Sequence, residues 1–509
     1  NGIIENHAAL RTMLERKGHV FRSETDTEVI PHLVEDLLKS EGNVRQAFAD
    51  ALKVLEGTYA VALMCAELPG ALLVARRGSP MLIGVGRNEM MVASDAAALV
   101  THTRRVVYLD DGDTALLRAG DCELRRLDST PVMKPAQEIA FDLPAIERGG
   151  HPHFMHKEIF EQPVTLLNAL RGRIERPGAT ARLDGIDDKT LRRAKRCQIL
   201  ACGTSYHAGL VGKYLLENLA RLPTEVSYAA EYRYANPIVD AGTLTIAVSQ
   251  SGETADTLAA VREAKLRGGA AVSLCNVVGS TIARECGQGV YIHAGPEIGV
   301  ASTKAFTGQI VMFALLALHM GRMREMSLRE GAAFLDALER LPEQARETLA
   351  LDEQVRAAAE EMAGARSALF IGRLYEYPVA LEGALKLKEI SYVHAEGLAA
   401  AELKHGPIAL IDAETPTVAL AAQSGVFAKT ISNVQEVRAR GGDVLAVVRR
   451  GDDRLNGLAR RTLAIPPTAD PLVPVLAVIP LQLLAYHVAT LRGCDVDRPR
   501  NLAKSVTVE

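Results

Sequence analysis

The chain has 509 residues, 48% of them hydrophobic and 24% charged, with a formal net charge of −4. That length exceeds one core and predicts about three domains, while the composition excludes disorder and the charge excludes capture by nucleic acid or anionic lipid. Seven cysteines without C-x-x-C or Cys/His spacing exclude a disulfide framework and a structural zinc site, so a reducing, cytoplasmic setting and a small-molecule partner are expected.

In chain order, residues 1–4 read as the end of a strand, so the chain is expected to start inside a domain. Helix-like segments at 5–17, 27–40 and 43–55 precede short strands at 59–65, 71–76, 81–84, 90–93, 106–109, 114–118 and 122–127. This predicts an α+β layered piece over residues 1–145. Periodicity then fades over 138–163, where Pro, Gly and His accumulate, and residues 146–186 are expected to be a linker with a lead-in helix. His151, His153 and His156 form the one metal-like cluster. Lacking nearby Cys or paired carboxylates, it is read as a linker feature, and no metal site is expected.

Beyond residue 163 strands alternate with helices. Strands are expected at 198–201, 244–248, 271–275 and 290–293, then at 368–371, 418–421 and 444–448, which implies parallel sheets with covered faces. Residues 471–491 carry no Asp, Glu, Lys or Arg, so a hydropathy scan would flag a membrane span. Pro471, Pro474, Pro480, Gln482 and His487 interrupt it, and a buried helix is expected instead.

The α/β half is a duplication. Ser249-Gln250-Ser251-Gly252-Glu253-Thr254, between a strand and a helix, recurs as Ala422-Gln423-Ser424-Gly425. Gln250 recurs as Gln423 and Gly268 as Gly441, both 173 positions on. The repeats are expected over 187–327 and 358–499, as two doubly wound parallel-sheet domains. Only the first keeps the full hydroxyl set; the second reads Ser424-Gly425-Val426-Phe427.

In such sheets ligands bind beyond the carboxyl ends of the strands. Cys202-Gly203-Thr204-Ser205 and the 249–254 loop have that placement, where backbone N–H groups and short hydroxyls can cradle an anion. Ser302-Thr303 opens a further helix. Each loop alone could be a plain N-cap, but three in one repeat favour phosphate. No nucleoside-triphosphate or dinucleotide fingerprint occurs, and no cofactor is expected.

Glu382, Lys386 and Glu389 share one helix face, either as a solvated ion-pair ladder or as a proton-transfer group. His405, in Lys404-His405-Gly406-Pro407 after a helix-like run at 397–403, is either a helix terminator or an acid/base group. Lys504 sits in a C-terminal tail, residues 500–509, whose Leu and Val spacing suggests docking into a cleft, where a lysine can form an imine.

Together the 23–28 segment (Ser-Glu-Thr-Asp-Thr-Glu), the 249–254 loop, residues 299–304, the 382–389 helix, residues 404–407 and the tail from Asp497 resemble the isomerising glutamine–fructose-6-phosphate amidotransferase family, the glucosamine-6-phosphate synthases. The resemblance implies a class II glutaminase (Ntn-type) domain and two sugar-isomerase (SIS) domains. It implies conversion of fructose 6-phosphate and glutamine to glucosamine 6-phosphate, the first step toward UDP-GlcNAc, by a homodimer.

By motif, Ser205, Ser249, Gln250, Ser251 and Thr254, beside Thr204, would hold the sugar phosphate. Lys504 would form the Schiff base, Glu389 would move the proton between C1 and C2, and His405 would open the ring. Val300, Ala301, Ser302, Glu382 and Lys386 would line the pocket. Asn1 and Gly2 would match the family's oxyanion-hole pair, and Asp26 would bind the glutamine amino group. The family's nucleophile is an N-terminal cysteine, which Cys65 and Cys122 do not resemble. The chain is therefore expected to lack the first part of its glutaminase domain, to keep the isomerase half and not to hydrolyse glutamine.

Two other functions remain open. One is an SIS-type isomerase or deglycase without amide transfer, against which the front domain argues. The other is a non-catalytic sugar-phosphate sensor, which would need the phosphate loops but neither Lys504 nor Glu389.

Overall fold

The structure is a computed structural model that describes residues 2–139 and 147–507. It divides into two compact units: residues 1–146 with 253–256 and 505–509, and residues 147–252 with 257–504.

The first unit is the expected α+β layering. One antiparallel sheet runs in the order Gly2–Ile4, Gly57–Leu63, Leu72–Arg77, Asp113–Arg118, Asp121–Arg126. A second runs Met90–Ala93, Leu82–Val85, Arg105–Tyr108, Gln137–Glu138. Helices His7–Arg16, Val29–Glu41 and Val44–Val54 bury Leu10, Leu14, Leu33, Phe48 and Leu52 against the first sheet. Asn43 starts the third helix, its side chain accepting from Arg45 and Gln46 N–H at 2.9 and 3.2 Å. Gly2, at φ +112°, pairs with Tyr59, and a Cβ there would lie 2.0 Å from the Thr58 carbonyl oxygen. Asn1 lies outside the described residues, as do Val508 and Glu509 of the tail and residues 140–146, where the first domain boundary was expected.

The second unit holds two five-stranded, all-parallel sheets. The first runs Thr224–Tyr228, Arg196–Ala201, Thr243–Ser249, Ala270–Cys275, Gly289–Tyr291. The second runs His394–Ala399, Ser367–Gly372, Thr417–Ala421, Val444–Arg449, Arg461–Ile465. Both have the order 2-1-3-4-5 in chain terms, so the direction of winding reverses between the first and third strands of each. All seven residues of Thr243–Ser249 are buried, as a strand covered on both faces requires.

Two expectations need correcting. The 138–163 linker contains the helix Phe154–Phe160, which buries Met155 and Ile159, one turn apart, in the common core. The 397–403 segment is not an α-helix: His394–Ala399 is an edge strand paired with Ser367–Gly372, and Ala400–His405 is a short 3-10 turn. The 471–491 stretch is the predicted buried helix, Val473–Leu491, but a second helix, Lys304–Arg322, is also long and apolar enough to cross a membrane. Each has 94% of its apolar window buried inside the protein.

Candidate active site at the first-repeat switch point

The loops leaving Arg196–Ala201 and Thr243–Ser249 flank the point where the first sheet reverses its winding. After the first strand, Gly203 takes φ +52° and helix Gly203–Leu219 begins, carrying Thr204, Ser205 and His207 in its first two turns. After the other, the buried Ser249 hydroxyl accepts from Gly252 N–H at 2.9 Å and closes the Ser249–Gly252 turn. Gly252 is at φ +68°, and a Cβ there would lie 2.0 Å from Ser280 Oγ, so the turn requires glycine. Gln250 and Ser251 are half-buried at the mouth; Thr254 groups with residues of the first unit. Ser205 is buried and accepts from Gln309 Nε2 at 2.9 Å.

The second repeat answers the same loop differently. Ser424 N–H and Oγ donate to Asp470 at 3.0 and 2.8 Å, and Gly425 N–H donates to Asp470 Oδ2 at 3.1 Å. Arg449 Nη2 completes the set at 3.0 Å. Burial alone would raise the Asp470 carboxyl, but the Ser424 and Gly425 hydrogen bonds outweigh it and hold the group below the usual carboxylate range. The chain's own carboxylate thus occupies the second repeat's loop.

Glu382 and Lys386 project from helix Glu376–Ser391 and are 0% and 1% exposed, which removes the solvated-ladder reading. Glu382 accepts from Thr204 Oγ1 at 3.0 Å and lies 2.8 Å from His207 Nδ1, tying the second repeat's helix to the first repeat's loop. Lys386 Nζ lies 2.5 Å from Glu389, 3.5 Å from Glu382 and 3.1 Å from Thr204 Oγ1, to which it donates. Burial would drive this ammonium toward neutrality. The charges of Glu389 and Glu382, and behind them Glu297, instead hold it above the ordinary lysine range.

The tail brings Lys504 to the same cluster. Its Nζ donates to Glu297 Oε2 and to the Gly299 carbonyl, each at 2.8 Å. Glu297 also accepts from Ser302 Oγ at 2.8 Å and from Thr303 and Ala305 N–H at 2.9 and 3.1 Å. These amides lie at the start of helix Lys304–Arg322, so the Ser302-Thr303 helix start is capped by a carboxylate of the chain itself. Burial acts to raise the Glu297 carboxyl; Lys504 and the two amides overcome it and push the group down. Glu158, held by Ile298 and Gly299 N–H at 2.5 and 3.2 Å, is pushed the other way by burial and by the charge of Glu297. Val300 N–H is bonded to the Asp497 carbonyl at 3.1 Å, and Ala301 is buried beside it.

His405 stands exposed at the end of its 3-10 turn and makes none of the contacts that join this cluster. In the first unit, Asp26 accepts from Ile4 N–H at 2.6 Å. Sequence reasoning missed Glu297, Glu158, His207 and Asp470. Glu297 had a local signal, an acid just ahead of a helix start; the others are assembled only by tertiary contacts.

The SIS domain family matches residues 190–319 and 361–492, and a glutamine amidotransferase domain matches residues 1–101. The chain is 49% identical over 517 residues to a protein from Chlorobaculum tepidum named glutamine–fructose-6-phosphate aminotransferase [isomerizing], covering 100% of this chain and 84% of that one. A protein of the same name from Thermus thermophilus is 49% identical over 510 residues, with the same coverage. The chain belongs to the isomerizing glutamine–fructose-6-phosphate aminotransferase family. Its α/β half also resembles the solved C-terminal domain of glucosamine-fructose-6-phosphate aminotransferase from Francisella tularensis, at TM-score 0.67 and 39% identity, covering 69% of this chain and 100% of that one. The match over residues 1–101 covers the three helices of the first unit and its strands through Met90–Ala93.

Proposed function

We propose that this chain serves the synthesis of glucosamine 6-phosphate from fructose 6-phosphate and glutamine, and that its own residues carry the isomerase half, with none of its cysteines releasing the glutamine nitrogen. One observation carries the proposal: Lys504 is docked on buried Glu297, whose charge also acts on the Lys386–Glu389 pair. A sensor of sugar phosphates would need neither an amine nor a carboxylate at that position.

In this reading Thr204, Ser205, Ser249, Gln250, Ser251 and Thr254 hold the phosphate where backbone amides and hydroxyls converge. Lys504 gives up its proton, attacks the C2 carbonyl and forms an imine with loss of water; ammonia from glutamine then adds at C2, and Lys504 leaves as the free amine. Glu389, partnered by Lys386, carries a proton between C1 and C2 to turn ketose into aldose. Val300, Ala301, Ser302 and Glu382 line the sugar pocket, and His405 serves ring opening. Asp26 binds the glutamine amino group, with Asn1 and Gly2 at the oxyanion position.

No internal cysteine is assigned to amide hydrolysis. Burial, with Asp121 and Glu123 behind it, pushes the Cys122 thiol up and disfavours its thiolate. We assign the SIS repeats to 187–327 and 358–499, the glutaminase part to 1–145 and the active tail to 500–509, and infer a cytoplasmic homodimer. The seven free cysteines accord with a reducing compartment.

Borohydride reduction in the presence of fructose 6-phosphate tests the central step. The peptide containing Lys504 should gain the mass of the reduced sugar adduct, and Lys504→Arg should abolish the adduct. Modification of Lys386 with Lys504 untouched would overturn the assignment.

A further inference from the structure

Away from these residues, the first unit gathers three side chains of metal-ligand type. His19 follows helix His7–Arg16 by three residues, and His32 and Glu35 stand one turn apart on helix Val29–Glu41. The two Nδ1 atoms face each other at 3.1 Å, and Glu35 Oε2 lies 3.8 Å from His19 Nδ1. One ligand atom from each residue lies within 4.8 Å of the others. The side chains of His19 and His32 are 6% and 19% exposed, so neither pairing is a chance surface contact.

The outward nitrogens face carboxylates. His32 Nε2 points to Glu28 Oε1 at 3.6 Å, and His19 Nε2 to Asp36 Oδ1 at 3.7 Å. Glu28 is pinned by Arg22 and Ser23 N–H, each at 2.7 Å, and by the Ser23 hydroxyl at 2.5 Å. When each ring carries its proton on Nε2, facing these carboxylates, both Nδ1 atoms present lone pairs to one another; when one ring carries it on Nδ1, the two rings share a hydrogen bond. In the first tautomer the two lone pairs are placed to share a cation. Tetrahedral nitrogen ligands about 2.0–2.1 Å from zinc are about 3.3 Å apart, close to the spacing here. Glu35 supplies an anion at the third position. Its competing partner, Lys39 at 3.5 Å, makes an exposed pair of little strength.

We propose that His19 Nδ1, His32 Nδ1 and Glu35 bind a divalent transition metal of the zinc class, with water as the fourth ligand. Glu28 and Asp36 orient the two imidazoles from behind. Such an ion pins the turn after the first helix to the second helix, directly behind the Asp26–Glu28 turn.

The test uses the full 509-residue chain, stripped with chelator and titrated with Zn²⁺ and Co²⁺. We expect one tight site per chain, a tetrahedral cobalt spectrum without thiolate charge transfer, and a raised melting temperature. His19→Gln and His32→Gln should each weaken binding at least tenfold. Glu35→Gln, at an exposed position, should weaken binding while leaving the metal-free melting temperature unchanged. Unchanged affinity in the His19→Gln/His32→Gln double variant, a thiolate band, or no binding at micromolar zinc would overturn the proposal; the last would leave a shared proton as the cation between the rings.

Discussion

Glu376 opens the second repeat's first helix with its carboxyl wholly buried, and that burial is the main reason its pKa is pushed up from 4.5 to about 7. In the unfolded chain the same group loses its proton near 4.5. Between these values folding takes up a proton, so the stability tied to Glu376 is complete below the lower value and is lost as pH rises through the upper one. Denaturation of the wild type at pH 5 and pH 8 should show a fall of on the order of 3 kcal/mol from this group. Glu376→Gln should flatten that difference, and an equal fall in the variant would assign it elsewhere. Residues of this kind are poorly legible in sequence. Glu382, Lys386 and Glu389 could be placed on one face from spacing alone, but whether that face was solvated depended on packing against Thr204 and His207, some 180 positions earlier in the chain.

The two strand-to-helix loops show what duplication followed by divergence does to one element. In the first repeat the Ser249 hydroxyl closes the Ser249–Gly252 turn, and Ser251 beside it is half-buried. In the second, Asp470 takes the Ser424 and Gly425 groups and draws in Arg449. Asp470→Ala should therefore uncover a cradle of amides, a hydroxyl and a guanidinium, and calorimetry with inorganic phosphate should detect a binding event that the wild type lacks. No added heat in a folded variant would show that the second loop has lost more than its vacancy.

The central strands were readable as apolar runs, because burial on both faces demands them. The edge strands Thr224–Tyr228, His394–Ala399 and Arg461–Ile465 were missed, since one flank faces no neighbouring strand and polar residues interrupt the pattern. The helix Phe154–Phe160 was hidden for a related reason: Pro152 and three histidines outweigh the two apolar residues that anchor it.

At the scale of the larger unit, both repeats feed one core. A single buried cluster runs from Met155 through Ile246, Phe313 and Phe370 to Val496. A buried amide relay crosses it: Thr307 Oγ1 donates to Gln162 at 3.0 Å, Gln162 Nε2 donates to Gln482 at 2.8 Å, and Gln482 Nε2 donates to the Thr303 carbonyl at 3.2 Å. Breaking such a network leaves buried amides unsatisfied, so the repeats should not open separately. Hydrogen exchange in rising denaturant should give Thr243–Ser249 and Thr417–Ala421 the same opening free energy. Protection lost from one sheet well before the other would show two independent folding units. The Asp470 carboxylate in the second cradle also bears on dose response. On the proposed reading, in which phosphate is held by the first repeat and Asp470 fills the second, fructose 6-phosphate binds a single chain hyperbolically, and a sigmoid binding curve would have to arise between chains.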